Sequence, residues 1–137
     1  MSGWAYTHLD EIRFADVDAL GHLNNVAFLT FVESARVAYL ASLLPGYDPT
    51  VAGGELSVVV ASAQIDYRSP GSYGELVQTH LRPGALGRTS FQIEFEMTVG
   101  ERVLADGRGV FVCYDNVARR PIALPERLRA QLSAAAG

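Results

Sequence analysis

The sequence predicts one α+β domain in which a curled antiparallel sheet of about five strands wraps a long central helix. Three observations lead there. The stretch from Val26 to Leu44 is apolar on more than one helical stripe, four later runs between Val58 and Tyr114 alternate apolar and polar residues, and turns rich in Pro and Gly join those runs directly. Strands joined by short turns make an antiparallel sheet, and a helix apolar on most sides is satisfied when that sheet curls around it.

The elements follow in order. Residues 6–14 carry a weak strand pattern ending in Ile12, Arg13 and Phe14, after which DVDALGHLNN reads as a loop. Asn24 or Asn25 can cap the helix, because a short side-chain carbonyl accepts from free N–H groups of the first turn; Pro45-Gly46 stops it near Leu44. Residues 45–56 read as a loop. The next strand places Ala63, Ile65 and Tyr67 on one face and Ser62, Gln64 and Asp66 on the other, ending at the Pro70-Gly71 turn. Leu76 to Arg82 is a further strand, Pro83 to Gly87 a turn, and Thr89 to Val99 the cleanest alternation in the chain. Gly100-Glu101 then turns the chain into Val103 to Tyr114, where Gly107 and Gly109 predict a bulge or a close backbone approach. A short helix from Pro125 to about Ala134 closes a single domain spanning residues 1–137.

Composition excludes several function classes. The chain is 49% hydrophobic and 19% charged, enough to build a core and too apolar for disorder. Its 11 basic residues, all Arg, stand against 15 acidic ones, a net charge of 11 − 15 = −4 with no basic run, so nucleic acid is not expected as a partner. The lone Cys113 cannot form an internal disulfide and reads as a buried small hydrophobe in a reducing compartment. No signal-peptide pattern opens the chain and its richest apolar window is interrupted, so a soluble, cytoplasmic protein without a membrane partner is expected. There is no G-x-S-x-G elbow, C-x-x-C, H-E-x-x-H, P-loop or G-x-G-x-x-G, and the three histidines are far apart, so neither a metal site nor a nucleotide cofactor is expected.

One constellation remains. Asp16, Asp18, His22, Asn24, Asn25 and Glu33 gather carboxylates, an imidazole and amides around one helix N-terminus. That terminus offers free N–H donors and a positive dipole end, which polarise a carbonyl and stabilise an oxyanion. A carboxylate beside it can attack the carbonyl or deprotonate water. The plainer alternative is that Asp16 and Asp18 cap turns and His22 is a packing residue.

The string RFADVDALGHLNNVAFLTFVESAR, from Arg13 to Arg36, resembles the opening motif of hotdog-fold acyl-CoA thioesterases of the 4-hydroxybenzoyl-CoA thioesterase type, D-x-D-x-x-G-H-x-N-N followed by an aromatic residue and E-x-x-R. IDYRSPGSYGE, LGRTSFQIEFEM and RRPIALPERL extend the similarity along the chain. The resemblance implies a hotdog fold and hydrolysis of an acyl-CoA thioester with no cofactor, coenzyme A being part of the substrate. It places the catalytic carboxylate on Asp18, the second Asp of the motif, with His22 and Asn25 orienting carbonyl or water. Asn24 and Val26 at the helix start and Phe28 as a tunnel wall would bind substrate. Related plant acyl-carrier-protein thioesterases add an Asn two residues after the Asp, where this chain has Leu20. Asp16 is expected to hold the loop, Glu33 and Arg36 to form an ion pair, and His8 and His80 to have no part in the site. Arg68, Arg82 and Arg88 are candidates for the coenzyme A phosphates, with solvated surface arginine the alternative for each. Hotdog relatives imply a homodimer or homotetramer. Rival functions on this fold are a non-catalytic acyl-CoA-binding protein, which commonly carries a helix-turn-helix, and a dehydratase or hydratase, whose His-led or Asp-x-x-x-x-His pattern differs from Asp18 and His22, four apart.

Overall fold

The computed structural model describes residues 3–48 and 56–136. Strand β1 (Tyr6–Glu11) is followed by a single 3-10 turn at Phe14–Asp16 and helix α1 (Asn25–Leu43). Strands β2 (Ser57–Tyr67), β3 (Leu76–Leu86), β4 (Ser90–Val99), β5 (Arg102–Asp115) and the two-residue β6 (Arg120–Pro121) come next, and α2 (Glu126–Ala136) ends the chain. All pairings are antiparallel, in the spatial order β1-β3-β4-β5-β2, with β6 on β5. Residues 49–55 of the expected 45–56 loop lie outside the described residues.

The core lies against the period-two faces of β3 and β4, where α1 packs on β1 and β3, and α2 adds Leu128 and Leu132 against β3. Val77, Thr79 and Leu81, then Phe91, Ile93, Phe95 and Met97, point inward and are almost fully buried. From α1 they receive Phe28, Phe31, Val32, Ala35, Tyr39 and Leu40, a stripe at helical spacing. The expectation of a helix covered on most sides narrows to this stripe, since Leu29, Val37 and Ala38 stay partly exposed. By length and composition α1 could cross a membrane; here its apolar stripe is spent on the sheet. Truncating a buried ring such as Phe95 to Ala would cost about 3–5 kcal/mol.

Two local expectations change. Pro83 and Gly84 do not turn the chain: β3 runs through them, with a register shift between Pro83 and Leu86. β1 starts at Tyr6 opposite Leu81, so beyond that point β3 has one strand neighbour and the missing Pro83 N–H breaks no ladder bond on the β1 side. Gly107 is a close approach and no bulge, since the ladder is continuous across it and a side chain there would overlap the Gln64 carbonyl oxygen.

Candidate active site

Two loops meet at the start of α1. Leu23 N–H donates to the Gly71 carbonyl at 2.7 Å, and His22 pairs with Ser72 as an isolated bridge. Gly71 permits this contact, because a Cβ there would stand 2.7 Å from the Ile12 Cδ1 methyl.

The first half of the 13–24 loop is built on Asp16. Its Oδ2 accepts from the Arg13 backbone N–H at 2.9 Å and from Arg13 Nε at 3.1 Å, while Oδ1 accepts from Nη2 at 2.9 Å. Asp16 is only 6% exposed, and the Arg13 guanidinium holds its carboxyl below the ordinary carboxylate range. Its backbone carbonyl accepts from Asn24 N–H at 2.8 Å, tying the loop to the helix start. The loop-holding role expected for Asp16 is what these bonds describe.

The second half turns around Asp18, which is exposed. Its Oδ1 accepts from Leu20 N–H at 2.8 Å and from His22 N–H at 3.3 Å, and its own N–H donates to the His22 carbonyl at 2.9 Å. Among the described residues Oδ2 has no hydrogen-bond partner, and neither has the His22 imidazole nor the Asn25 side-chain amide. The turn therefore fixes the carboxylate by one oxygen and leaves the other outward.

Asn24 is the N-cap: its Oδ1 accepts from Val26 N–H at 2.9 Å, and its carbonyl from Ala27 N–H at 2.9 Å. This alters the expectation that Asn24 and Val26 face substrate through these groups, because the Asn24 oxygen and the Val26 N–H satisfy each other. The backbone N–H of Asn25 is left without a partner among the described residues. It is the donor available at the positive end of the helix.

Tyr67, at the end of β2, was not legible as a site residue. Its hydroxyl donates to the Asn25 carbonyl at 3.1 Å and its ring stands edge-on to Phe28, 5.0 Å between centroids. A tyrosine closing an alternating strand carries no signal of such a partner. Phe28 itself is 2% exposed, so it presents core and no open tunnel wall within one chain.

The three arginines divide. Arg68 makes a bidentate pair with Asp106 at 3.0 and 3.2 Å, and Arg82 pairs with Glu94 at 2.7 Å while lying 4.4 Å over the Trp4 ring. Both are neutralised by carboxylates, and Arg82 is on the outer face of the sheet, away from α1. A groove of about 400 Å³ on that face is lined by Trp4, Asp66, Arg82, Glu94 and Arg108 and includes none of Asp18, His22 and Asn25. Arg88 sits in the β3–β4 turn, at the opposite end of β3 from the Asp18 loop, with no ion pair among the described residues. Arg36 pairs with Glu33 at 2.6 Å and lies 5.0 Å over Phe111, as a structural pair should. Cys113 is buried, which pushes its thiol up to about 11 and fits a packing role. The described residues include no cluster of three or more His, Cys, Asp or Glu able to hold a metal.

Residues 12–132 match the family model of the thioesterase-like superfamily. The chain belongs to this superfamily. The hotdog fold and the enzyme class expected from the opening motif, an acyl-CoA thioesterase, are both borne out. A 1,4-dihydroxy-2-naphthoyl-CoA hydrolase of Synechococcus elongatus is 28% identical over 119 residues, covering 86% of this chain and 88% of its own. A thioesterase of Thermus thermophilus solved with coenzyme A and Zn superposes with a TM-score of 0.86 at 34% identity, over 100% of this chain and 98% of its own. A 1,4-dihydroxy-2-naphthoyl-CoA thioesterase of Synechocystis, 21% identical, shares the fold with a TM-score of 0.83 over 93% and 95% of the two chains.

Proposed function

We propose that Asp18 is the catalytic carboxylate of this thioesterase, and that its substrate is the coenzyme A thioester of an aromatic acid. The observation that carries the reading is that one loop-to-helix junction holds both an anchored carboxylate, whose second oxygen has no hydrogen-bond partner among the described residues, and the Asn25 N–H at the start of α1, which has none there either. The thioester oxygen accepts from that N–H, and the helix dipole stabilises the charge that develops on it. Asp18 acts as nucleophile, giving a mixed anhydride that water then cleaves, or as general base on the attacking water. Either route takes acyl-CoA and water to free acid and coenzyme A. His22 and the Asn25 amide, both exposed and without a side-chain partner among the described residues, orient water or carbonyl.

Coenzyme A as carrier is supported by the Thermus structure, and an aromatic acyl group by the names of the curated relatives. The working unit we infer is a homodimer. β2 is an eleven-residue edge strand with Val59 40% and Val60 47% exposed. Such an edge invites pairing with a second chain. Antiparallel β2–β2 pairing brings the end of one chain that carries Arg88 to the end of the other that carries Asp18, which makes Arg88 the arginine best placed for the coenzyme A phosphates. Phe14, Leu20 and Val26, each 79% exposed, surround the Asp18 loop and gain apolar cover from acyl group or partner. We further propose that the reaction runs in the cytoplasm and uses no cofactor beyond the coenzyme A of the substrate.

A thiol-release assay over acetyl-, hexanoyl-, palmitoyl-, 4-hydroxybenzoyl- and 1,4-dihydroxy-2-naphthoyl-CoA tests the substrate. Aromatic thioesters should exceed aliphatic ones in kcat/KM by at least about tenfold. Sedimentation at micromolar concentration should give two or four times the 14.8 kDa chain mass; a fully active monomer would defeat the shared site.

A further inference from the structure

We infer that Tyr67 is a positioning residue for the reaction, holding the oxyanion donor in place through the first residue of α1. The inference rests on the reading of Asn25 N–H as that donor.

A helix start is held poorly by its own hydrogen bonds, because the first turn has no preceding turn to bind. Here the cap fastens it from the loop side, through Asn24 to Asp16 and Val26. Tyr67 fastens it from the sheet side. Its hydroxyl donates to the carbonyl of Asn25, the same residue whose N–H has no partner among the described residues. By binding an oxygen and no N–H, the phenol restrains Asn25 without consuming the donor that chemistry needs. Its ring, edge-on to the buried Phe28 one helical turn further along, fixes the angle of approach. Tyr67 is anchored by the β2–β5 ladder opposite Ala105, so the sheet is the rigid body against which the donor is set. A displacement of an oxyanion donor by a fraction of an ångström weakens a bond that matters most in the transition state, so the loss should fall on kcat.

Tyr67→Phe removes the hydroxyl and keeps the ring on Phe28. Relative to wild type on the best thioester, kcat should fall about tenfold with KM within twofold, and amide exchange over residues 24–28 should quicken while subunit mass and Tm hold. A kcat within twofold of wild type overturns the inference, as does a rise in KM alone. A loss of kcat accompanied by dissociation or unfolding also overturns it, for the phenol would then serve assembly. Asp18→Asn run beside it separates the two claims. If Asp18→Asn is inactive and Tyr67→Phe is normal, only the positioning role falls; if Asp18→Asn is active, the site reading itself falls.

Discussion

The two halves of the loop that enters α1 hold nearly identical carboxylates in opposite situations. Asp16 is buried and takes three hydrogen bonds from one arginine, through both oxygens. Asp18, two residues on, is exposed and engaged through a single oxygen by two backbone N–H groups. A carboxylate with both oxygens satisfied is a structural part, whereas one oriented by half of its acceptors is fixed in direction yet open to a substrate. The contrast comes from chain direction: the 3-10 turn at Phe14–Asp16 tucks one side chain under Arg13, and the following turn presents the other outward.

The sharpest way to break this contrast is Asp18→Asn. The amide keeps an oxygen for Leu20 and His22, so the turn should persist and Tm stay equal or rise, while kcat falls at least about a hundredfold and KM moves much less. More than half the wild-type kcat in a folded variant would move the chemistry off Asp18. Asp16→Asn should do the reverse. Its amide nitrogen would face the Arg13 guanidinium, donor against donor, so the cost should exceed that of a simple turn acceptor, about 1–2 kcal/mol, after discounting for the exposure of Arg13. Calorimetry should show Tm lower by roughly 4–8 °C, with kcat within a few-fold of wild type. If Asp16→Asn proves the inactive variant, the roles are exchanged.

Acid titration sharpens the same point. The Asp16 carboxyl lies below its ordinary range in the folded chain, so its contribution is complete above the unfolded pKa of about 4 and is lost as pH falls through the lower folded value. Glu75, held down by Arg102, and Asp115, held down by the Ala118 and Val117 N–H groups, act in the same direction. Denaturant melts from pH 6 to pH 2.5 should show stability falling below about pH 4, with a shallower fall in Asp16→Asn. A parallel fall in the two proteins would show that Asp16 does not titrate with folding. The smallest effect belongs to Asn24→Ala, which removes the side-chain cap on Val26 N–H and keeps the backbone bond from Asn24 to Asp16. It should cost about 1 kcal/mol by chemical denaturation and lower kcat a few-fold, less than Asp18→Asn. Unchanged stability would mean that the Asn24 side chain does not carry the cap.

Local rules that act over a few residues were readable in the sequence: the alternation of Phe91, Ile93, Phe95 and Met97, a cap at Asn24 or Asn25, which the structure resolves to Asn24, the stop near Pro45, the motif from Asp16 to Asn25 and the pairing of Glu33 with Arg36. Each depends on side-chain period or on groups close together along the chain. What depended on distant neighbours was not readable. Pro83 reads as a turn until β1 is known to begin opposite Leu81, and Arg68 and Arg82 read as free cations until Asp106 and Glu94 are brought beside them. Tyr67 belongs with these, since its tie to Asn25 spans 42 residues and arises only when the end of β2 is laid against the start of α1. Periodicity states which face of a segment turns inward, but register and strand order decide which group waits there, and those are set by the packing of the whole sheet on the helix.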